Sequence, residues 1–525
     1  MSRRTFIQRA IGTAVWLFGW STQMTHARTQ SKKLTILHTN DIHGHLSPWQ
    51  GWEGDLKGKT IGGLGVLAGA IAAARSEAGS ECLLLDAGDL IGDTMIADLT
   101  QGKALIAALN HLRYDALTIG NHEPDFGMDV LRDRIRDATF PVVAANLVAQ
   151  DDDSLFTKPY ILKQVGDLRV GILGVAYPKT SRTTASKNVA GVQFLVPQAA
   201  VEKQVPLMRA DGAEVVIALS HLGLGGDQQL ARSVKGIDVI VGGHSHNRMA
   251  DAEKVGDTLI VQAGAHCSDL GQLELTIEKG IITGHRRTLV LLDHERVPLD
   301  EVANRFAVQL LAPHGKELDE IIGRAESWLV RAQTLAGTEA RKRDEESPID
   351  SLFADLLCVE TKADIAFLPG VGYGVAIPPG PITAAQLRQM IPHDGKVVTM
   401  RLSGARILEI LEQAVDNVFS DDPAGKVGGM IQLSGLRIKY STTRPKGHRI
   451  IAIERTQGKW NTADDCVVAT NSMLAEGGHN QEAFLRGEKI AEYGSQYELI
   501  KRALNRESPV RAPDVGRIIR KSDRK

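Results

Sequence analysis

Carboxylate, imidazole and amide side chains follow short apolar runs at five places in the chain, and these residue types bind divalent metals. The five sets are His38-Thr39-Asn40-Asp41-Ile42-His43, Asp86-Ala87-Gly88-Asp89, Gly120-Asn121-His122-Glu123, Ser220-His221 and Gly242-Gly243-His244-Ser245-His246. Oxygen and nitrogen ligands of this kind disfavour copper(I) and iron–sulfur chemistry and suit divalent cations. Each set alone also fits a turn or a solvated histidine, whereas their recurrence after apolar runs indicates one shared metal site.

The elements that must position these side chains are predicted to form an α/β core. From about Lys33 to Leu292, short apolar runs alternate with amphipathic stretches. The strand-like runs are Leu34–Leu37, Cys82–Leu85, Ala116–Ile119, Val170–Val175, Val215–Leu219 and Val239–Val241. This alternation is typical of strands that are each followed by a helix. Because ligands bind at the carboxyl ends of strands in open α/β folds, we expect the five polar sets to meet there.

Composition excludes several classes of protein. With 61 Lys+Arg against 63 Asp+Glu, the net charge is −2, whereas a nucleic-acid surface would show a basic excess. The four cysteines, Cys82, Cys267, Cys358 and Cys466, are scattered and form no CxxC pair, which excludes a disulfide scaffold and a thiolate zinc site. A length of 525 residues predicts two folded units.

Residues 1–27 have the order of an export signal. Arg3 and Arg4 precede Phe6, and a mildly apolar run from Ala10 to Trp20 leads to the small residues around Ala27. The paired arginines resemble a twin-arginine (Tat) signal, and the apolar run is too short to span a bilayer. We therefore expect export through the Tat machinery, with a soluble mature protein in the periplasm. A basic disordered N-terminus is the alternative.

Two domains are expected on either side of a helical linker. The first covers residues 33–297, and residues 298–334 are predicted to be a helical linker because Val302, Phe306 and Leu310 recur at helical spacing. The second domain covers residues 335–520 and is long enough for a core of its own. Its predicted elements are the strands Ile365–Leu368, Val397–Leu402, Leu436–Tyr440 and Cys466–Thr470 and the helix Ala405–Val418.

The ordered motifs resemble the calcineurin-type metallophosphoesterases. The resemblance is carried by Asp41-x-His43, Gly88-Asp89, Gly120-Asn121-His122-Glu123, His221 and Gly243-His244-Ser245-His246, and Thr39–His45 with Gly120–Gly127 narrows it to the 5′-nucleotidase branch. It implies an α/β fold, in which a four-layer metallophosphoesterase β-sandwich flanked by helices is joined by the linker to a second α/β domain. That second domain would be a substrate-binding domain of the 5′-nucleotidase C-terminal type.

The resemblance also implies a dinuclear metal centre. Carried over position by position, it places Asp41, His43 and His246 on one cation, Asn121, His221 and His244 on the other, and Asp89 between them. The two divalent ions could be Mn, Zn, Fe, Co or Mg. Such a pair would activate a hydroxide for in-line attack on phosphorus.

A catalytic pair is implied beside the metals. His122 resembles the histidine that stabilises charge on the scissile group, and Asp125, three residues later, would orient its imidazole. Pro124 stands between them where the family usually has phenylalanine. The spacing of the pair is nevertheless retained.

The second half departs from nucleotide-hydrolysing relatives. Their Asn-Gly-Gly-Gly-Ile-Arg type of loop corresponds here to residues 367–374, which contain no arginine to clamp a phosphate. We expect substrate contacts from Gly370 and Tyr373 in this loop, from Leu433 where the first base-stacking ring would stand, and from His479 near the second. Tyr373 or Phe484 could supply a ring instead.

The same half is similar to the SoxB-type thiosulfohydrolases. That similarity rests on residues 369–374 and on Asp416–Pro423 followed by Gly428-Gly429-Met430. The first half points the other way, because SoxB-type proteins usually have Gly-His-Trp-Glu at the position of Gly120-Asn121-His122-Glu123.

Three functions therefore remain open. The leading hypothesis is an exported dinuclear metal-dependent hydrolase of phosphate esters, which would release phosphate from a nucleoside monophosphate or a related nucleotide. The second is a sulfohydrolase that releases sulfate from a thiosulfonate on a carrier protein, and the third is a metal-stabilised anion-binding protein without catalysis. All three imply a small phosphorylated or sulfur-containing anion as the partner, without nucleic acid and without a membrane span in the mature protein.

Overall fold

The structure, a computed structural model, describes residues 31–331, 344–371, 374–392, 394–421 and 426–521. The predicted export signal at residues 1–27 and the predicted substrate contact Tyr373 lie outside this part of the chain. Among the helices that it does describe, none combines the length and the apolar character needed to cross a bilayer.

Two six-stranded sheets dominate the first domain. Its strands are β1 (Lys32–Thr39), β2 (Trp49–Gln50), β3 (Thr60–Ile61), β4 (Cys82–Asp86), β5 (Ala116–Thr118), β6 (Val142–Val143), β7 (Leu147–Ala149), β8 (Tyr160–Val165), β9 (Leu168–Val175), β10 (Val192–Phe194), β11 (Val215–Ser220), β12 (Val239–Gly242), β13 (Glu253–Val255), β14 (Thr258–Val261), β15 (Asp269–Glu278) and β16 (Ile281–Leu291). The first sheet has the order β16-β15-β1-β4-β5-β6 and the second the order β13-β14-β12-β11-β9-β8. β1, β4, β5 and β6 are mutually parallel, as are β9, β11, β12 and β14.

The two sheets pack face to face, and helices cover their outer faces. Ile36 and Leu85 of the first sheet share one apolar cluster with Ile172, Ile217 and Val241 of the second. The helices are α1 (Leu64–Ala78), α2 (Met95–Thr100), α3 (Lys103–Leu112), α4 (Met128–Asp137), α5 (Pro197–Ala210) and α6 (Leu224–Ser233). α1 and α3 pack on the first sheet and α5 and α6 on the second, which makes the predicted four-layer sandwich. Strands covered on both faces must be apolar throughout, which explains the continuous runs in the sequence.

The linker is helical only in its first part. α7 (Glu301–Leu311) begins at Asp300, whose side chain accepts hydrogen bonds from two backbone amides of its first turn, and α8 (Gly315–Leu318) follows. β17 (Ile321–Ala325) is then a strand, paired antiparallel with Gly380–Thr383 of the second domain. The prediction of helix throughout residues 298–334 is therefore wrong from Ile321, because its β-branched residues pair with a strand about 60 positions later that local spacing does not reveal.

The second domain contains a five-stranded sheet with helices packed against it, a three-stranded sheet and a two-stranded ribbon. Its remaining elements are α9 (Pro348–Thr361), β18 (Ile365–Gly370), β19 (Gly380–Thr383), α10 (Ala384–Gln389), β20 (Lys396–Ser403), α11 (Gly404–Val418), β21 (Gly429–Ser434), β22 (Leu436–Tyr440), β23 (Ile450–Arg455), β24 (Asp465–Asn471), α12 (Ser472–Ala475), β25 (Glu488–Ser495), α13 (Gln496–Glu507) and β26 (Ile518–Arg520). The larger sheet has the order β21-β18-β24-β20-β25. The predicted two-domain α/β fold is confirmed.

Candidate metal centre

The carboxyl ends of β1, β4 and β5 meet those of β11 and β12 at one edge of the sandwich, where the polar sets predicted from the sequence lie side by side. In the first group, Nε2 of His43 lies 3.2 Å from Nε2 of His246. Oδ1 of Asp41 lies 3.3 Å from the same His246 atom and 3.8 Å from Nε2 of His43. All three side chains are buried, so their ligand atoms face one another away from water.

A second group adjoins the first through Asp89. Its Oδ2 lies 3.0 Å from Nε2 of His221 and 3.9 Å from Nε2 of His43. One ligand atom each from Asp89, His221 and His244 lies within 4.8 Å of the others, and the same holds for His43, Asp89 and His122. Oδ1 of Asn121 is buried and accepts no hydrogen bond from the described residues, and Asn121 lines the same cavity. The structure thus brings together all seven residues predicted as metal ligands.

Backbone strain is concentrated at these residues. Five of the seven adopt a left-handed backbone, with φ between 47° and 72°: Asp41, His43, Asp89, His244 and His246. Residues other than glycine adopt this conformation rarely, and each instance costs of order 1–3 kcal/mol. Such strain persists where the surrounding structure imposes it. At these residues the left-handed backbone gives the side chains a direction that an extended strand end would not give them.

Hydrogen bonds hold the ligand atoms in place. The amide of Asn40 donates to Oδ2 of Asp41 at 2.6 Å, and the backbone N–H of His244 donates to the same oxygen at 2.9 Å. Nδ1 of His221 donates to the carbonyl of Ala87 at 2.7 Å, which leaves its Nε2 as the atom that faces Asp89. Outer hydrogen bonds of this kind set the tautomer and orientation of metal-binding imidazoles.

The electrostatics of the cluster favour added positive charge. Burial opposes the charged form of His221, but the carboxylates of Asp89 and Asp41 raise its pKa to about 10. Burial likewise opposes ionisation of Asp89, yet His221 and His122 hold its pKa well below the usual value. Buried carboxylates beside imidazole nitrogens and an amide oxygen form a donor set that fits divalent cations.

The predicted catalytic pair is in contact beside this cluster. Nδ1 of His122 donates to Oδ2 of Asp125 at 2.6 Å, so Nδ1 carries the proton and Nε2 is left for the cavity. Although burial lowers it, the pKa of His122 is held well above its usual value by Asp125 and Asp89. Thr184 donates to Oδ1 of Asp125 at 3.2 Å, and the amide of Asn188 donates to its backbone carbonyl at 2.8 Å. The carboxylate that orients the imidazole is therefore itself held by a neighbouring loop.

Glu123 joins two of the loops. Its buried carboxylate accepts hydrogen bonds from the backbone N–H groups of Asp89, Leu90, Ile91 and Gly120. Burial and the charge of Asp89 raise the pKa of Glu123 to about 7. Gly120 allows the loops to approach, because a Cβ there would lie 2.2 Å from Oδ1 of Asp89.

The second domain closes the cavity above the cluster. Gly370 and His479, both predicted as substrate contacts, line it together with Val371, Val427 and Gly428, opposite Tyr177 and Thr183 of the first domain. His479 has a left-handed backbone with φ 54°, and a Cβ on Gly428 would lie 2.2 Å from its Nδ1. The cavity wall therefore requires glycine at position 428.

Two residues considered for substrate contact are placed elsewhere. Leu433 is fully buried in the apolar core of the second domain, where β21 pairs it with Phe367 of β18. Phe484 is also fully buried, edge-on to Phe367 with ring centroids 6.0 Å apart. The prediction that Leu433 contacts substrate is wrong, because alignment along the chain did not show which face of the strand it occupies.

Several site residues carry no distinctive signal in the sequence. The backbone-binding role of Glu123, the contacts of Thr184 and Asn188 with Asp125, and the place of Tyr177 in the cavity all depend on loops from distant parts of the chain. For Glu123, its place in the Gly120–Glu123 set was the only available signal.

Comparison with known proteins agrees with this geometry. A family model described as "Calcineurin-like phosphoesterase" matches residues 34–248, and one described as "5′-nucleotidase, C-terminal domain" matches residues 321–486. The chain is similar to a crystal structure of the 5′-nucleotidase precursor from Thermus thermophilus, with 30% identity and a TM-score of 0.84. That match covers 93% of this chain and 99% of the other.

Two further relatives have lower sequence identity. The Trifunctional nucleotide phosphoesterase protein YfkN of Bacillus subtilis (strain 168) is 29% identical over 529 residues, covering 91% of this chain but 34% of that protein. The chain thus spans about a third of the length of that relative. The Thermus thermophilus sulfate thiohydrolase SoxB has a TM-score of 0.83 at 23% identity, with 93% of this chain and 96% of the other covered, which is a likeness of fold.

Proposed function

The chain belongs to the 5′-nucleotidase family of calcineurin-like phosphoesterases, and on that premise we propose that it is a dinuclear metal-dependent hydrolase of phosphate monoesters. Nucleoside 5′-monophosphates are the proposed substrate class. Family membership supports phosphate-ester hydrolysis, and the residues that line the cavity support the roles proposed for individual side chains.

The convergence of seven ligand-type side chains, five of them on a left-handed backbone, is the observation that carries the proposal. A site for an uncharged ligand would gain nothing from placing two buried carboxylates among four imidazoles. Asp41, His43 and His246 are proposed to hold one cation, Asn121, His221 and His244 the other, and Asp89 to bridge them. The chemistry that such a pair supplies when bound is polarisation of phosphoryl oxygens and acidification of water.

His122 is proposed to act on the substrate directly. Because Asp125 accepts a hydrogen bond from Nδ1 of His122 at 2.6 Å, the ring is held with Nε2 available to the cavity. From there it can donate a hydrogen bond to the oxygen on which negative charge develops as the phosphorus–oxygen bond breaks. Preorganised donors of this kind lower the barrier because they need no reorientation during the reaction.

The second domain is proposed to contact the leaving group. Val371, Val427 and His479 face the cavity from the side opposite the metal ligands, so a phosphate at the ligands would direct its ester group towards them. Asn480 donates to Oδ1 of Asn417 at 2.7 Å, and the amide of Asn417 donates to the carbonyl of Val427 at 2.8 Å. These bonds support both loops that form this wall.

The proposal is tested by metal analysis and phosphate release in parallel. His221→Ala should lower the metal content and abolish release of phosphate from 5′-AMP and from an aryl phosphate. His285→Ala, which changes an exposed histidine of β16, is the matched control and should leave both unchanged. Retention of two metal equivalents by His221→Ala would contradict the assigned ligands.

A sulfohydrolase is the second candidate, favoured by one observation. The described residues of the second domain that line the cavity are glycines, valines and a histidine. They include no pair of aromatic rings that could stack on a base. A thiosulfonate should therefore be assayed beside 5′-AMP, a UDP-sugar and an aryl phosphate. Turnover of the thiosulfonate alone would replace the phosphoesterase proposal by this one.

Export remains a proposal based on residues 1–27. Arg3 and Arg4 are its critical residues, because a Tat signal depends on the arginine pair. Fractionation of cells that express the full chain should recover the protein outside the cytoplasm. Replacement of both arginines by lysine should retain it inside, and an unchanged distribution would exclude the Tat route.

A further inference from the structure

We infer that Asp93 is a positioning residue for His43, and that Arg388 of the second domain supplies the charge that compensates it. The inference rests on the proposed function, because it concerns how the proposed metal ligand His43 is oriented. It goes further by making the metal affinity of the first domain depend on a residue of the second.

Asp93 is a buried carboxylate in an unusual setting. It is 1% exposed, and no described residue donates to either oxygen with full hydrogen-bond geometry. Its Oδ2 nevertheless lies 3.2 Å from Nδ1 of His43, a distance at which a small rotation of the imidazole completes a hydrogen bond. Burial of an unpaired carboxylate is unfavourable, so its retention beside His43 indicates a functional role.

The backbone at Asp93 points to the same conclusion. Its φ of 57° is left-handed, a conformation in which glycine would be unstrained. A strained backbone conformation of this kind is typical of residues whose side chains have a functional role. The role indicated by the geometry is to accept a hydrogen bond from Nδ1–H of His43, which leaves Nε2, 3.2 Å from Nε2 of His246, as the metal-binding atom.

The charge that compensates Asp93 comes from across the domain boundary. Arg388 follows the first turn of α10 in the second domain, and its Nη2 donates to Oδ1 of Asp98 at 3.1 Å. Asp98 follows Asp93 by five positions on the same short segment, so this ion pair brings the guanidinium to the element that carries Asp93. Nη1 of Arg388 donates to the carbonyl of Ile391 at 2.6 Å, which fixes the side chain on its own domain.

One short segment therefore connects the domain interface to the proposed metal centre. Residues 89–98 contain Asp89 among the ligands, Asp93 against His43 and Asp98 against Arg388. The arrangement makes docking of the second domain a condition for full compensation of Asp93.

The test separates positioning from stability by using two variants. Asp93→Gly keeps the left-handed turn and removes the carboxylate, while Asp93→Asn keeps an acceptor oxygen and removes the charge. Titration of metal-free protein with Mn²⁺ in a calorimeter should show one of the two sites weakened about 10–100-fold in Asp93→Gly, with a smaller loss in Asp93→Asn. The visible spectrum of the Co²⁺-loaded protein should change in the same order.

The melting temperatures of the metal-free proteins distinguish a positioning role from a structural one, because loss of a structural contact would lower them. Without metal, both variants should melt at the wild-type temperature or above it, because a buried carboxylate and a strained backbone have been relieved. Wild-type affinity in Asp93→Gly would overturn the inference and leave the proposed function standing. Failure of the wild type itself to bind Mn²⁺ would overturn both.

The contribution of Arg388 is measured by a double-mutant cycle. Asp93→Asn should change Mn²⁺ affinity by a different factor in an Arg388→Gln background than in the wild type. Arg437→Gln, an exposed change on β22, is the control and should leave the effect of Asp93→Asn unaltered. Equal factors in the Arg388→Gln and wild-type backgrounds would overturn the assignment of Arg388.

Discussion

Replacement of Glu123 by glutamine should destabilise the first domain, because no orientation of the amide satisfies the groups around it. Oε1 accepts from the N–H of Leu90 at 2.8 Å and of Ile91 at 3.3 Å. Oε2 accepts from the N–H of Gly120 at 2.6 Å and of Asp89 at 3.1 Å. In Glu123→Gln one of these positions becomes an NH₂ donor that faces two backbone donors, whichever way the side chain turns.

The loss of stability follows from the number of backbone N–H groups left without an acceptor. Each buried N–H left without an acceptor costs about 1–3 kcal/mol, so two cost about 2–6 kcal/mol. For a domain of this size, each kcal/mol lowers the melting temperature by about 2–4 °C, which gives a decrease of at least about 4 °C. Because the affected loop contains Asp89, the metal content should fall as well.

The measurement is scanning calorimetry of wild type and Glu123→Gln, with metal analysis of the same samples, at a pH above the Glu123 pKa of about 7, where the wild-type carboxylate is ionised. Glu202→Gln is the matched control, since Glu202 is an exposed residue of α5. If Glu123→Gln melts together with Glu202→Gln and retains its metals, the carboxylate does not hold the two loops. The reasoning from donor and acceptor geometry would then be refuted.

Three further predictions concern catalysis, packing and substrate. Asp125→Asn should lower turnover of 5′-AMP by about 10²-fold or more while metal content stays unchanged, and loss of metal instead would contradict its orienting role. Gly120→Ala places a Cβ 2.2 Å from Oδ1 of Asp89 and should lower both melting temperature and metal content, whereas Gly284→Ala, with its nearest atom at 3.8 Å, should change neither. His479→Ala should raise KM for 5′-AMP in steady-state kinetics without altering metal content, and an unchanged KM would remove it from the substrate site.

Six central strands of the first domain, namely β1, β4, β5, β9, β11 and β12, were predictable because burial on both faces requires continuous apolar runs. β11 (Val215–Ser220) is buried along its whole length, and the predicted run Val215–Leu219 coincides with it. The residues after each run were equally visible, since His221 and the Gly242–His246 set interrupt apolar sequence with ligand chemistry. Residue type and local order were enough for these features.

Pairing over long distances was not predictable. The β-branched pair at the start of Ile321–Ala325 is too short to identify a strand by itself, and its partner strand begins at Gly380. Leu433 fits a cavity or a core equally well until β21 is paired with β18. Both errors arose because hydrogen-bond register, and not residue type, decides which way such side chains point.

The partners of the ligand residues were hidden for a related reason. Glu123 and Asp93 are acidic residues among many, and their neighbours along the chain do not show that one binds four backbone amides and the other faces His43. Arg388 lies 290 positions from its ion-pair partner Asp98. The contact of Arg388 forms only when the two domains are docked, and the other two form only when distant loops of the first domain come together.

The amino-acid sequence by itself determined the chemistry available to this protein: which ligand atoms it has, in what order they come, and that they stand at strand ends. Those properties are local, because side-chain type and apolar periodicity act over a few residues. Only the tertiary structure decided which atoms lie within ligand distance, which backbones are left-handed and which residues of the second domain line the cavity. These depend on the packing of two sheets and two domains, which brings together atoms more than 200 positions apart, such as those of His43 and His246.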